Sequence, residues 1–223
     1  MKKVFLFSFG LLVALSSLLV SCDETPGEYN GTLSHNGHEY VDLGLPSGTK
    51  WATCNVGATK PWEYGGFYAW GETEEKEGYS LGTYKWCSES KETMNKYNAV
   101  DNKAMLDSVD DVAAVKWGGD WRMPTKEDFD ELGRFCTLDW DTLNSVPGCK
   151  VVGPNGNDVF FPAAGVKYDC CLEGKGEFFV GWLNTLYKKE YAAYCIEFEL
   201  DELEAQPDAY GREMGLPVRP VCK

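Results

Sequence analysis

The first twenty residues show the plainest pattern along the chain, a short basic start followed by an apolar run. Lys2 and Lys3 precede residues 4–20, which are almost wholly apolar. A basic start and an apolar core of this kind are typical of an export signal. A transmembrane anchor is the alternative, but serines interrupt the run and its length is at the short limit for spanning a bilayer.

The end of this run has the form of a lipobox, Leu19-Val20-Ser21-Cys22. At such a site a bacterial signal peptidase cuts before a cysteine whose sulfur carries a diacylglycerol. Acyl chains contribute about 0.8 kcal/mol per buried methylene, so a lipidated Cys22 gives a lasting anchor. We therefore predict a lipoprotein signal peptide over 1–21, a lipidated tether over 22–31, and a single domain over 32–223.

After the tether, short alternating runs separated by turn residues predict strands. Asn36-Gly37 lies between two strand-like runs and is the favoured hairpin turn. A second turn-rich stretch, 153–157, separates two runs rich in valine and phenylalanine, 151–152 and 159–161. Further strands are predicted at 178–183, 191–200 and 216–222.

Two segments have helical spacing of their apolar residues. In 101–116 Met105, Val109, Val112 and Val115 recur at helical intervals. In the second segment Thr125 and Asp128 form a capping box, and the apolar face that follows consists of Phe129, Leu132 and Phe135. The prediction is an α+β domain with two helices in the first half packed on a mostly antiparallel, irregular sheet.

The charge of the chain limits its possible partners, and its cysteine content bears on cross-links. The formal charge of -14 repels the phosphates of nucleic acid and anionic lipid heads, so the membrane is reached through the lipid anchor only. Eight cysteines remain besides Cys22, an even number that in an exported chain predicts disulfides of undetermined pairing. A zinc cluster and a vicinal Cys170-Cys171 bridge are the alternatives, although neighbouring residues on a strand point to opposite faces.

Several phrases together resemble one family. They are VDLGLPSGTKWATCNVGA at 41–58, YAWGET at 68–73, VKWGGDWRMPTKEDFDEL at 115–132, VVGPNGNDVFFPAAG at 151–165 and LPVRPVC at 216–222. They are similar to the Fibrobacter succinogenes major paralogous domain, which is abundant in Bacteroidetes lipoproteins. The resemblance implies a fold related to the C-type-lectin-like and formylglycine-generating-enzyme superfamily, and it implies no particular activity.

The matched phrases also contain two arginines for which we expect structural roles. Arg122 precedes the capped helix, and we expect it to pair with an acid near the start of that helix. For Arg219, between two prolines in the last predicted strand, we expect a buried or half-buried carboxylate partner.

Three residues are candidates for binding a ligand. Gln206 and Asp208 belong to a Gln-Pro-Asp tripeptide that resembles the calcium- and sugar-contacting motif of C-type lectins, and a plain turn is the alternative. Trp182 lies where the chain departs from the family pattern, and its ring is a candidate for stacking on a sugar. No cofactor or metal is otherwise expected, with Ca²⁺ at this tripeptide or among Asp101, Asp107, Asp110 and Asp111 as the alternative.

The pattern of reactive residues favours binding over catalysis. Both histidines, His35 and His38, lie in one early hairpin, so a nucleophile with a histidine base is not expected. The hypothesis is a non-catalytic surface module that recognises an external glycan or protein. A structural lipoprotein of the envelope or of a filament is the alternative. The acidic pair after Cys22 resembles an export signal of Bacteroidetes lipoproteins, so we expect an outer-membrane, cell-surface location.

Overall fold

Three small antiparallel sheets and a two-stranded ribbon carry most of the regular structure. They are seen in a computed structural model, which describes residues 33–88, 90–200 and 207–223. The predicted lipidation site Cys22 and the candidate Gln206 lie outside the described residues. The domain is α+β, with antiparallel sheets dominant and two helices in the middle of the chain.

The first sheet joins the start of the domain to the end of the chain. Its strand order is β1-β2-β3-β12, with β1 at Leu33–His35, β2 at His38–Val41, β3 at Lys50–Ala52 and β12 at Val221–Cys222. Asn36 and Gly37 form the β1–β2 turn with φ values of 46° and 82°. Both values are positive, as a tight two-residue hairpin turn requires, so the predicted hairpin is confirmed.

The second sheet has the order β4-β5-β6, with β4 at Thr137–Leu143, β5 at Val146–Val152 and β6 at Asp158–Pro162. The β5–β6 pair matches the predicted runs around the 153–157 turn. Strand β4 was not predicted, and it pairs with β5 through a turn at Asn144-Ser145, where both residues have positive φ. Neither turn residue is a glycine, which is why the sequence gives little sign of this hairpin.

The third sheet has the order β11-β10-β9, with β9 at Phe178–Leu186, β10 at Ala192–Glu199 and β11 at Pro207–Gly211. A separate ribbon pairs β7, Val166–Tyr168, with β8, Cys171–Glu173. The predicted strands at 178–183 and 191–200 are confirmed. The predicted strand at 216–222 is too long, because only β12 forms and Leu216 makes an isolated bridge to Tyr68.

Helix α1 is much shorter than the pattern of 101–116 predicts. It covers Val112–Trp117, and Met105, Val109 and Val115 are exposed. The helix begins where it does because Asp111 caps it, with its carboxylate accepting hydrogen bonds from the Ala113 and Ala114 amides. Tertiary contacts of the preceding loop therefore override the apparent periodicity.

Helix α2 begins and caps as predicted. It covers Lys126–Phe135, and the Thr125 and Asp128 side chains each accept from the other's backbone amide. Phe129 and Leu132 are fully buried against β5, β6, β9 and β10, and each such burial contributes about 2 kcal/mol. Phe135, which was expected on the same apolar face, is 42% exposed.

Between β3 and α1 the described chain is almost all loop, and a buried arginine holds part of it together. Arg212 is fully buried. Its guanidinium donates to the backbone oxygens of Lys96, Tyr97 and Glu190 at 2.8–3.3 Å, and to the Tyr84 hydroxyl at 2.9 Å. These carbonyl groups belong to loops, so no strand or helix partner is available to them.

Arg219 likewise donates hydrogen bonds to buried oxygens, beside the first sheet. The expectation of a carboxylate partner for it is wrong. Arg219 donates to Asn55 Oδ1 at 2.8 Å, Ala52 O at 3.1 Å and Phe160 O at 2.9 Å. Its guanidinium lies 4.6 Å from the centre of the Phe161 ring. Burial lowers the pKa of Arg219 to about 10, which still leaves it charged at neutral pH.

The predicted disulfide framework is also wrong for the described residues. All eight cysteines of that part of the chain are free. Cys149, Cys195 and Cys222 are buried in apolar clusters, where each packs as a small hydrophobic side chain. Apolar packing around buried arginines, rather than covalent cross-links, therefore holds the domain together.

Residues 32–223 form one compact unit. Among the residues that the structure describes, no helix has the length and apolar character needed to cross a membrane.

Replacement of Arg219 by alanine should destabilise the domain by about 4 kcal/mol. The substitution leaves three buried acceptors without a donor and opens a cavity beside Phe161. Urea unfolding followed by tryptophan fluorescence measures the change. The exposed Arg134 is the matched control, and its alanine variant should lose no more than about 0.5 kcal/mol. A loss below about 1 kcal/mol in the Arg219 variant would contradict this role.

Candidate functional site

A cavity of about 520 Å³ lies between α2 and the loop that precedes β3. Nine of its ten lining residues are polar or charged, and they carry charges of both signs. The lining residues are Ser47, Arg122, Thr125, Glu127, Asp128, Asp130, Glu131, Arg134, Phe135 and Lys223.

The floor of the cavity is a fixed ion pair at the start of α2. Arg122 Nη1 donates to Asp128 Oδ2 at 2.6 Å, and Nη2 donates to Oδ1 at 3.1 Å. Burial acts to raise the pKa of Asp128, but the hydrogen bonds from Arg122 and Thr125 outweigh it and lower that pKa. The expectation that Arg122 pairs with an acid at the helix start is therefore confirmed, and the lowered pKa keeps Asp128 ionised at neutral pH.

The opposite wall is a loop tied to the helix. Glu131 accepts from the Ser47 amide at 2.8 Å and from the Ser47 hydroxyl at 2.5 Å. Thr49 Oγ1 donates to Asp128 Oδ1 at 3.1 Å. These bonds join residues about eighty positions apart in the chain, so the shape of the cavity is set by the tertiary structure.

Three charged groups in this preformed frame lack a partner. The side chains of Glu127, Arg134 and Lys223 make no hydrogen bond or ion pair with any other residue that the structure describes. Glu127 and Arg134 are seven positions apart on α2, which places them on the same side of the helix. The 42% exposed ring of Phe135 follows Arg134 and completes the lining.

These free groups suit a ligand rich in hydroxyl or carboxylate groups. A carboxylate such as Glu127 accepts hydrogen bonds from hydroxyls, and the guanidinium of Arg134 donates in a planar fork. The face of Phe135 offers an apolar platform of the kind on which a sugar ring packs. Small-molecule sites are usually concave and largely preformed, as this cavity is, but their linings contain more apolar side chains than the single Phe135 here.

The sequence did not single out these residues as a site. Phe135 was assigned to the apolar face of α2, and Glu127 and Arg134 were assigned no role. The one signal was the spacing of Glu127, Glu131 and Arg134, which repeats along one side of the capped helix. The loop that closes the cavity is remote in sequence, so the spacing alone did not reveal a concave surface.

The candidate Trp182 is in the core, so the expectation that its ring contacts a ligand is wrong. It is 1% exposed, and its Nε1 donates to Tyr68 O at 2.7 Å. It lies in β9 opposite Cys195, on the face of the third sheet that packs against the core. The ring is used to fill the interior and to satisfy a loop carbonyl.

The candidate Asp208 is exposed and lies in β11. Pro207 and Asp208 therefore belong to a strand, and the plain turn considered as the alternative is wrong for them. Asp208 lies opposite Cys195 in the sheet and close to Glu197, whose Oε1 accepts from the Tyr210 hydroxyl at 3.0 Å. Burial, together with the neighbouring Asp208, raises the pKa of Glu197 to about 7. Among the described residues no group of three or more His, Cys, Asp or Glu is placed to hold a metal ion.

In the 101–111 segment, lysine side chains pair with the carboxylates that were considered as ligands for Ca²⁺. Lys96 contacts Asp107 at 2.9 Å and Asp110 at 2.5 Å, and Lys103 contacts Asp107 at 2.6 Å. Asp111 caps α1 and also accepts from the Met123 amide at 2.8 Å. Each of these carboxylates is therefore already paired.

The aromatic cluster of 64–86 and the two histidines are structural. Phe67, Tyr68, Trp70, Tyr79 and Tyr84 are buried, and Tyr64 and Trp86 are partly buried. His38 stacks on the Trp117 ring at 3.8 Å, and burial lowers its pKa. His35 Nε2 accepts from the Asp120 amide at 3.1 Å.

The acidic pair in the third sheet predicts a pH-dependent stability. Because the folded-state pKa of Glu197 is about 7 and its ordinary value is 4.5, the folded state binds the proton more tightly. The free energy of unfolding should therefore fall as pH rises from about 5 to about 7. Glu197→Gln removes this loss while keeping the acceptor for Tyr210, and at pH 8 it should stabilise the domain by about 1 kcal/mol after solvent screening.

Urea unfolding of both proteins at pH 4.5 and pH 8 measures this difference. The control is Glu39→Gln, an exposed position in β2 of the first sheet, whose difference from the parent protein should be the same at both values of pH. Equal stability of Glu197→Gln and the parent protein at pH 8 would show that Glu197 ionises without cost.

Comparison with protein-family models, with curated proteins and with solved structures finds no match to this chain. The function is therefore inferred from the chemistry of the cavity.

Proposed function

We propose that this chain is a non-catalytic, lipid-anchored surface module that binds an external glycan in the cavity along α2. The observation that carries the proposal is the set of unpartnered charges, Glu127, Arg134 and Lys223, beside the exposed ring of Phe135. Charges left without partners in a preformed cavity are available to a ligand at little cost in rearrangement.

The chemistry of these groups favours binding over a reaction. The free side chains are a carboxylate, a guanidinium and an ammonium, and none of them is a nucleophile paired with a base. Hydrogen bonds to hydroxyls and packing on a ring are what such a set provides. The phrases shared with the major paralogous domain family, and the C-type-lectin-like fold which that resemblance implies, agree with a binding module.

The anchoring part of the proposal depends on Cys22 and on the apolar run before it. With a lipid on Cys22 and residues 22–31 as a tether, the domain would stand at the surface of the outer membrane. The net charge of -14 keeps the domain away from anionic lipid heads, so the cavity stays free for an external ligand.

A structural role in the envelope or in a filament is the second candidate function. It is favoured by the exposed apolar side chains Val100, Val109 and Met105, which are 94%, 70% and 51% exposed. In that case the contacts of the protein would be with its own assembly, and no saturable glycan binding is expected.

Replacement of Arg134 by alanine should weaken glycan binding roughly 30-fold, because the loss of a charge-assisted hydrogen bond costs about 2 kcal/mol. A glycan array with the purified protein identifies the ligand, and titration calorimetry then measures the dissociation constant. The matched control is Lys60→Ala, which removes an exposed cation outside the cavity and should bind as the parent protein does.

The array also separates the two candidate functions. Saturable binding that is lost with Arg134→Ala and kept with Lys60→Ala supports the cavity as a glycan site. Binding that survives Arg134→Ala would place the site elsewhere. The absence of any saturable binding, together with self-association in sedimentation, would favour the structural role.

A further inference from the structure

The hairpin of the β7–β8 ribbon brings two adjacent thiols together at an exposed turn. Tyr168 pairs with Cys171, so Asp169 and Cys170 form the two-residue loop. Asp169 has a φ of 50°, and its backbone exchanges hydrogen bonds with Tyr79 at 2.8 and 2.9 Å. The turn is therefore anchored to the rest of the domain.

The two sulfur atoms, Cys170 Sγ and Cys171 Sγ, are 3.8 Å apart. The expectation that neighbouring cysteines point to opposite faces fails here, because Cys170 lies in the turn and only Cys171 lies in the strand. Both residues are exposed. The six other cysteines of the described chain are buried or partly buried, so these two thiols are the most accessible to a reagent.

A bond between these two sulfurs would be short-lived under reducing conditions. Cα atoms of neighbouring residues are about 3.8 Å apart, whereas an ordinary disulfide has a Cα separation of at least about 4.4 Å. The ring closed by adjacent cysteines is consequently strained, and strained, exposed disulfides are the readily reduced ones. Such a pair suits reversible exchange better than cross-linking.

We propose that Cys170 and Cys171 form a redox-active dithiol that reacts with small disulfide molecules and closes to a vicinal disulfide. One cysteine thiolate attacks a sulfur of the small disulfide, forming a mixed disulfide and releasing one small thiolate. The second cysteine then gives up its proton, and its sulfur displaces the other small thiolate from the mixed disulfide. The two released thiolates take the two protons, and two electrons pass from the cysteines to the small molecule.

The charges around the hairpin define the class of disulfide that it accepts. The hydrogen bond and charge of Cys170, followed by the acidic side chains of Glu173 and Asp169, raise the pKa of Cys171. Both acids stand beside the thiols on a chain whose net charge is -14. A cationic disulfide is therefore attracted to the site, and an anionic one is repelled.

The test uses the full chain, reduced and then mixed with cystamine, a cationic disulfide. After the remaining thiols are alkylated, mass spectrometry of the peptide with Cys170 and Cys171 should show a mass lower by two hydrogens and no alkylation. Each protein molecule should release two cysteamine molecules. With glutathione disulfide, which is anionic, the reaction should be several-fold slower, and added salt should reduce the difference.

Three variants complete the experiment. Cys170→Ser and Cys171→Ser should each stop at a mixed disulfide, with one cysteamine released, because no second thiol is left to close the ring. Cys87→Ser keeps both hairpin thiols and should react as the parent protein does. Circular dichroism checks that each variant is folded.

Other products would overturn the proposal. Two mixed disulfides on one parent molecule, a disulfide between two protein molecules, or unreacted thiols at both positions would each show that the pair does not close. The hairpin thiols are not part of the cavity lining, so this outcome and the outcome of the glycan experiment are independent.

Discussion

The described fold depends on buried side-chain donors that satisfy the backbone oxygens of loops. Between β3 and α1 the chain has little helix or strand, yet part of it is buried, and a buried carbonyl group without a donor costs about 1–3 kcal/mol. Arg212 and Arg219 each supply several donors from one planar group, and each collects oxygens from segments far apart in sequence. The two guanidinium groups supply the hydrogen bonds that neighbouring strands would supply to these oxygens in a sheet.

Tryptophan and tyrosine side chains also donate hydrogen bonds to backbone oxygens, and this role explains the high content of these residues. Four indole N–H groups donate to loop or strand carbonyls: Trp70 to Leu183 O, Trp86 to Gly71 O, Trp121 to His35 O and Trp182 to Tyr68 O. The Tyr84 hydroxyl donates to Trp70 O, and it accepts from Arg212. Each of these side chains satisfies a backbone group, and its ring packs in the core or against it.

The sequence predicted the features whose causes are local. The capping box at Thr125 and the hairpin at Asn36-Gly37 each depend on a few neighbouring residues, and both are present in the structure. The helix expected over 101–116, the carboxylate partner of Arg219 and the surface position of Trp182 were wrong. In each of these cases the deciding contact joins residues far apart in the chain, as the hydrogen bond from Leu106 N to Asn184 O does for the first, and no periodicity records it.

The same reasoning explains why unpartnered charges occur along α2. In the loops, carboxylates are used to satisfy backbone amides: Glu63 accepts from Thr59 N and Lys60 N, and Asp101 accepts from Tyr97 N and Asn98 N. A helix satisfies its own amides beyond the first turn, and in α2 the Thr125–Asp128 box supplies the cap. The carboxylate of Glu127 and the guanidinium of Arg134 are consequently free of structural duties. Carboxylates that satisfy loop amides are thus paired, whereas α2 presents charged side chains without a described partner.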